Sequence, residues 1–116
     1  MSQRTSSLFG SLVLATLIGT PTAHAVCTSP KNICKHVDDC LQRDSEASNR
    51  DAQQIKEGVK ARNGKMVGTG LETCARSLGR KKQWDNWTRG CSDLEYVSIT
   101  KVEMELGKTH CDRYSQ

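Results

Sequence analysis

Two short stretches carry the residue types that bind metals and move protons, Cys34-Lys35-His36 and His110-Cys111. Together they offer two thiols and two imidazoles, enough donors for a tetrahedral zinc ion. Their spacing points away from such a site. Zinc proteins usually place paired ligands about two to four residues apart so that both face the ion, whereas the adjacent His110 and Cys111 diverge in regular backbone. No metal is expected, and no motif calls for another cofactor.

Other chemistry is equally sparse. A redox dithiol takes the form Cys-x-x-Cys, which does not occur. Neither Gly-x-Ser-x-Gly nor His-Glu-x-x-His is found. Asp38 and Asp39 are neighbours that diverge by about 100° on a helix, so by themselves they make no paired-carboxylate site. Glu72, Asp85 and Glu95 could meet His36 or His110 only through the fold. No catalytic residue is assigned on this pattern.

Charge is more informative. The net charge is +4, and it is concentrated in the middle of the chain. Lys60, Arg62, Lys65, Arg76, Arg80, Lys81, Lys82 and Arg89 face only Glu72 and Asp85 across residues 60–90. The run RSLGRKKQWDNWTRG joins this cluster to two tryptophans, a composition that suits contact with an anionic surface. Arg76, Arg80, Lys81, Lys82, Trp84, Trp87 and Arg89 are therefore the candidate binding residues. The expected partner is an anionic protein or envelope surface, with nucleic acid not favoured. The competing reading is that both tryptophans belong to the core, because the only other aromatics after residue 26 are Tyr96 and Tyr114.

These residues need a frame, and the N-terminus suggests where it is built. Arg4 precedes an apolar run, Leu8 to Gly19, followed by Pro21 and by Ala23-His24-Ala25. That is the layout of a secretory signal peptide spanning residues 1–25, with cleavage before Val26. Val26 before Cys27 does not suit lipidation. The apolar run is shorter than the roughly 20 residues that a membrane-spanning helix needs. Export to the periplasm or beyond is expected, with residues 26–116 forming a single domain.

A domain of that size is marginal on its core alone. Cys27, Cys34, Cys40, Cys74, Cys91 and Cys111 all follow the cleavage site, and an even number in an oxidising compartment implies three disulfides. The pairing is left open. Cys34 and Cys40 would point roughly 240° apart on a helix, so each must reach a different element.

Helical period dominates. Ser29 and Pro30 open a first helix reaching Arg43, with Ile33, Val37, Cys40 and Leu41 as its stripe. A weaker second helix within residues 44–62 carries Ala52, Ile55 and Val59, frays at Gly58 and stops at Asn63-Gly64. NGKMVGTG reads as a glycine-rich turn, and Thr69 or Thr73 as the cap of a third helix bearing Leu71, Cys74, Ala75 and Leu78. Ser92 and Glu95 form a capping-box pattern that favours a helix from about Asp93 to a stop at Gly107. YVSITKVEMEL within it also reads as a strand. The fold expected is mainly α, a small bundle of three to four short helices stapled by disulfides. The function expected is that of a binding or inhibitor-type protein. A small secreted hydrolase or toxin with a His–carboxylate site, and a structural component of an envelope assembly, are the alternatives.

Overall fold

The computed structural model describes residues 27–43 and 50–115. The signal peptide expected over residues 1–25 and its expected cleavage before Val26 lie outside the described residues. The described elements are α1 (Pro30–Gln42), α2 (Arg50–Lys60), α3 (Gly64–Ser77), α4 (Lys81–Trp87), α5 (Asp93–Leu106) and a C-terminal 3-10 helix (Lys108–Arg113). All are helical, in agreement with the mainly α reading, and no strand occurs among them. None is long and apolar enough to cross a membrane.

Helix α1 is the hub and touches every other element. Pro30 occupies its first turn, where a missing N–H costs nothing. Ser29 caps it through the backbone only, its carbonyl accepting from the Ile33 N–H at 3.1 Å, with no side-chain cap bond. The buried face is wider than the apolar stripe and includes Cys34 and His36 beside Ile33, Val37 and Cys40.

Its two cysteines diverge as the helical wheel requires. Cys34 is bridged to Cys111 on the 3-10 helix and Cys40 to Cys74 on α3, while Cys27 is bridged to Cys91 ahead of α5. Two of the three bridges thus tie α1 to the 3-10 helix and to the last turn of α3, and the third holds the start of the described residues against the segment before α5. Such bridges typically mark proteins that work outside a reducing cytoplasm.

Helices α2 and α3 form a tight antiparallel pair, and here the sequence reading needs correction. The glycine-rich stretch from Gly64 is the first half of α3, not a turn. Asn63 closes one helix and opens the next. Its N–H reaches Gly58 O at 2.8 Å, and its side-chain oxygen accepts from the Met66 N–H at 3.0 Å. Thr69 and Thr73 lie inside the helix rather than at its cap, and α2 continues through Gly58 to Lys60 without fraying.

The glycine of α3 that matters most to this pairing is Gly70. A Cβ there would stand 2.8 Å from Cγ1 of the fully buried Ile55. Alanine is the better helix former by about 1 kcal/mol, but the core must shift to admit it, and overpacking costs about 1–3 kcal/mol. Gly70→Ala should therefore lower the denaturant midpoint. An unchanged or higher midpoint would show that the helix pair is loose enough to absorb the methyl group.

Helix α5 is a helix as the Ser92 and Gly107 signals indicate, though Ser92 makes no side-chain cap bond. Gly107, at φ 81, ends it in a conformation that favours glycine. Its polarity is partly inverted: Thr100 and Glu103 are buried with Ile99, while Leu94, Met104 and Leu106 are exposed.

Candidate functional site

The 3-10 helix turns His110 back towards α1 and α5. Its Nε2 lies 3.4 Å from Cys34 Sγ, and its Nδ1 donates to Gly107 O at 2.8 Å and lies 3.0 Å from Glu103 Oε1. Glu103 Oε1 is also 3.8 Å from Cys34 Sγ and 3.7 Å from Cys111 Sγ. Cys34, Glu103, His110 and Cys111 thus gather four potential ligand atoms within 4.8 Å of one another, with the two sulfurs joined as a disulfide.

Burial pushes the Glu103 carboxyl up to about 8. A hydrogen bond with Asp38 and that group's negative charge act in the same direction, and Lys108 opposes them. At neutral pH the Glu103 carboxyl therefore holds its proton.

His36 forms a second buried centre. Its Nε2–H donates to Leu71 O at 2.9 Å, which leaves Nδ1 to accept from Arg80 Nη1 at 3.4 Å. Arg80 is anchored in turn on Asp39 at 2.8 Å. The ring packs against Trp84 at 4.9 Å and lies 3.3 Å from Cys40 Sγ. Burial is the main cause that lowers its pKa, and Arg80 adds to it. A neutral imidazole with both nitrogens engaged joins α1 to α3 and α4, so this histidine holds structure.

These two centres set opposite pH dependences. The folded-state pKa of His36 is below its ordinary 6.5, so its contribution is present above pH 6.5 and lost as pH falls through the lowered value. The folded-state pKa of Glu103 is raised from 4.5 to about 8, so its contribution is present below pH 4.5 and lost as pH rises through about 8. Stability should therefore fall between pH 6.5 and about 8, where only Glu103 of the two is changing. In a series of denaturant melts, Glu103→Gln should flatten that decline, make stability rise more steeply between pH 4.5 and 6.5, and leave the shape of the profile below pH 4.5 as it was. An alkaline decline that persists in the variant would assign it to another group.

The candidate binding residues of the basic segment are brought to α4 and its approach, where one is buried and three are held in ion pairs. Trp84 is 3% exposed and belongs to the core, between His36 and Tyr96. Trp87 is half-buried. Arg80 is held by Asp39, Lys81 by Asp85 at 2.6 Å, and Arg76 by Glu72 at 3.0 Å. Lys82 and Arg89 remain exposed and line a shallow depression with Gln83, Asp85 and Asn86.

A different face gathers apolar and cationic groups together. Leu94 is 72% exposed and Met104 45%. They line a groove of about 500 Å³ between α2 and α5 with Val59 and Val97, where the three cations Lys60, Arg62 and Lys101 outnumber the one carboxylate, Glu105. Sequence reading did not mark Leu94 or Met104, because on a helix they look like core positions. Glu72, Asp85 and Glu95, considered as partners for a histidine, hold neither ring: Glu103 meets His110, and Asp39 approaches His36 through Arg80.

No protein-family description matches this chain, and no curated protein or solved structure is found similar to it.

Proposed function

We propose that this is an exported protein of the periplasm or extracellular space that acts by binding an acidic protein segment rather than by catalysis. The observation that carries this reading is the α2–α5 groove. Leu94 and Met104 stand exposed on an outward face of α5 beside Val59 and Val97, with Lys60, Arg62 and Lys101 near them. Large apolar side chains placed together on the surface of a small domain mark contact sites more often than decoration. The surrounding cations select what can lie there: an amphipathic helix whose apolar side fills the groove and whose carboxylates meet Lys60, Arg62 and Lys101. By contrast, His36, His110 and Glu103 are withdrawn into the interior, which suits structure better than turnover.

The outer face of α4 is the second reading, favoured by the exposed Lys82 and Arg89 beside half-buried Trp87. Charge reversal separates the two. Lys60→Glu/Arg62→Glu/Lys101→Glu should abolish retention of an acidic partner captured from the exported fraction, whereas Lys82→Glu/Arg89→Glu should leave it. Both variants should melt near the wild type, since exposed charges contribute little to folding. Arg80 is not a clean probe, because reversing it also breaks the Asp39 and His36 contacts. The opposite pattern of retention would move the site to α4. Retention unchanged in both variants would defeat the electrostatic account, and capture only by anionic vesicles would replace the protein partner with a membrane surface.

A further inference from the structure

We propose that Cys34, Cys111, His110 and Glu103 form a zinc site that is latent while the Cys34–Cys111 bridge is closed and becomes available when that bridge is reduced. Tetrahedral zinc with bonds of about 2.0–2.3 Å keeps its ligand atoms roughly 3.3–3.8 Å apart. Three of the separations already fall there or at its edge: His110 Nε2 to Cys34 Sγ at 3.4 Å, Glu103 Oε1 to Cys34 Sγ at 3.8 Å, and Glu103 Oε1 to Cys111 Sγ at 3.7 Å. The two sulfurs, now bonded, must move apart, and Glu103 Oε1, which lies 3.0 Å from His110 Nδ1, must turn towards the Nε2 side.

The supporting contact is present as well. His110 Nδ1–H donates to Gly107 O at 2.8 Å, which selects the tautomer whose Nε2 lone pair faces the sulfurs. A fixed partner on the far nitrogen is the usual companion of a metal-binding histidine. The adjacency of His110 and Cys111, which argues against a site in regular backbone, is overcome because the 3-10 helix brings both side chains to Cys34. The other buried cluster, His36 with Cys40 and Cys74, offers only three donors. Its imidazole is engaged at both nitrogens, by Leu71 O at 2.9 Å and Arg80 at 3.4 Å, so it is the internal control.

The chemistry balances with a dithiol reductant. The reductant passes two electrons and two protons to the Cys34–Cys111 bond and becomes a disulfide itself. Both freed thiols and the Glu103 carboxyl then lose their protons to solvent as the two sulfurs and the carboxylate oxygen bind Zn²⁺.

The test uses the full chain, reduced anaerobically with a phosphine and titrated with Zn²⁺, and with Co²⁺ as a spectroscopic probe. One tetrahedral Co²⁺ per chain is expected, with thiolate charge-transfer bands, and X-ray absorption of the zinc form should show two sulfur and two nitrogen or oxygen neighbours. The bridged chain should take up none. Cys34→Ser/Cys111→Ser should lose the site, while Cys40→Ser/Cys74→Ser keeps it. His110→Ala and Glu103→Ala should each weaken binding at least about tenfold, a loss that even outer-shell partners can cause.

If reduction melts the helices, far-ultraviolet circular dichroism still decides. One equivalent of zinc should restore helix in the wild type and in Cys40→Ser/Cys74→Ser but not in Cys34→Ser/Cys111→Ser. Four sulfur neighbours, equal loss in the two cysteine pairs, uptake by the bridged chain, or no uptake by the reduced chain would each overturn the proposal.

Discussion

Trp84→Ala should leave the protein largely unfolded at 37 °C with its disulfides intact. The indole is 3% exposed and packs on His36 at 4.9 Å and on Tyr96 at 5.6 Å. It therefore connects α4 to α1 and α5. Truncating a buried aromatic of this size costs about 3–5 kcal/mol, a large share of the roughly 5–15 kcal/mol by which folded domains are stable. The His36 ring would also face a cavity, weakening its hold on Leu71 O. Chemical denaturation should show a midpoint shifted far down or no transition at all. A variant that melts like the wild type would mean that the tryptophan is a surface group after all.

Loss of the Cys40–Cys74 bridge should have an effect of similar size. The bridge spans 34 residues, and closing a loop of that length is worth about 4 kcal/mol in the chain-entropy account. It also lies against His36, with Cys40 Sγ 3.3 Å from Nε2, so the double substitution Cys40→Ala/Cys74→Ala opens space next to the buried ring. The metal-free variant should lose most of its cooperative unfolding signal, and reduction of all three bridges should unfold the metal-free chain outright. Retention of a sharp, unshifted transition after complete reduction, verified by thiol titration, would show that the helical core is sufficient alone.

Helix α1 was readable because its signals are local: Ser29-Pro30 at the start and apolar residues at helical spacing. The separation of Cys34 from Cys40 followed from the same geometry. Helix α3 was harder, since its glycines resemble a turn in isolation. Gly70 has a helical role only once Ile55 of α2 is seen beside it. In α5, burial of Thr100 and Glu103 with exposure of Leu94 and Met104 blurred the periodicity, leaving its ends as the better guide.

The buried polar centre was the least legible feature. Asp38, Glu103 and His110 lie on different elements, and their meeting depends on how α5 and the 3-10 helix pack against α1. No sequence spacing encodes it. The basic segment was hard to read for a related reason: three of its five candidate cations, Arg76, Arg80 and Lys81, found acidic partners that compositional counting cannot pair.

The central claim is that α5 carries the contact face while the buried polar groups hold the fold. Its most direct test is a residue-resolved NMR titration of the bridged protein with an amphipathic helical peptide built from leucine and glutamate. The expected result is saturable, salt-sensitive shifts centred on Leu94, Val97, Lys101 and Met104 and extending to Val59, with little change at His36. Failure to bind, or shifts centred instead on Lys82 to Arg89, would contradict it.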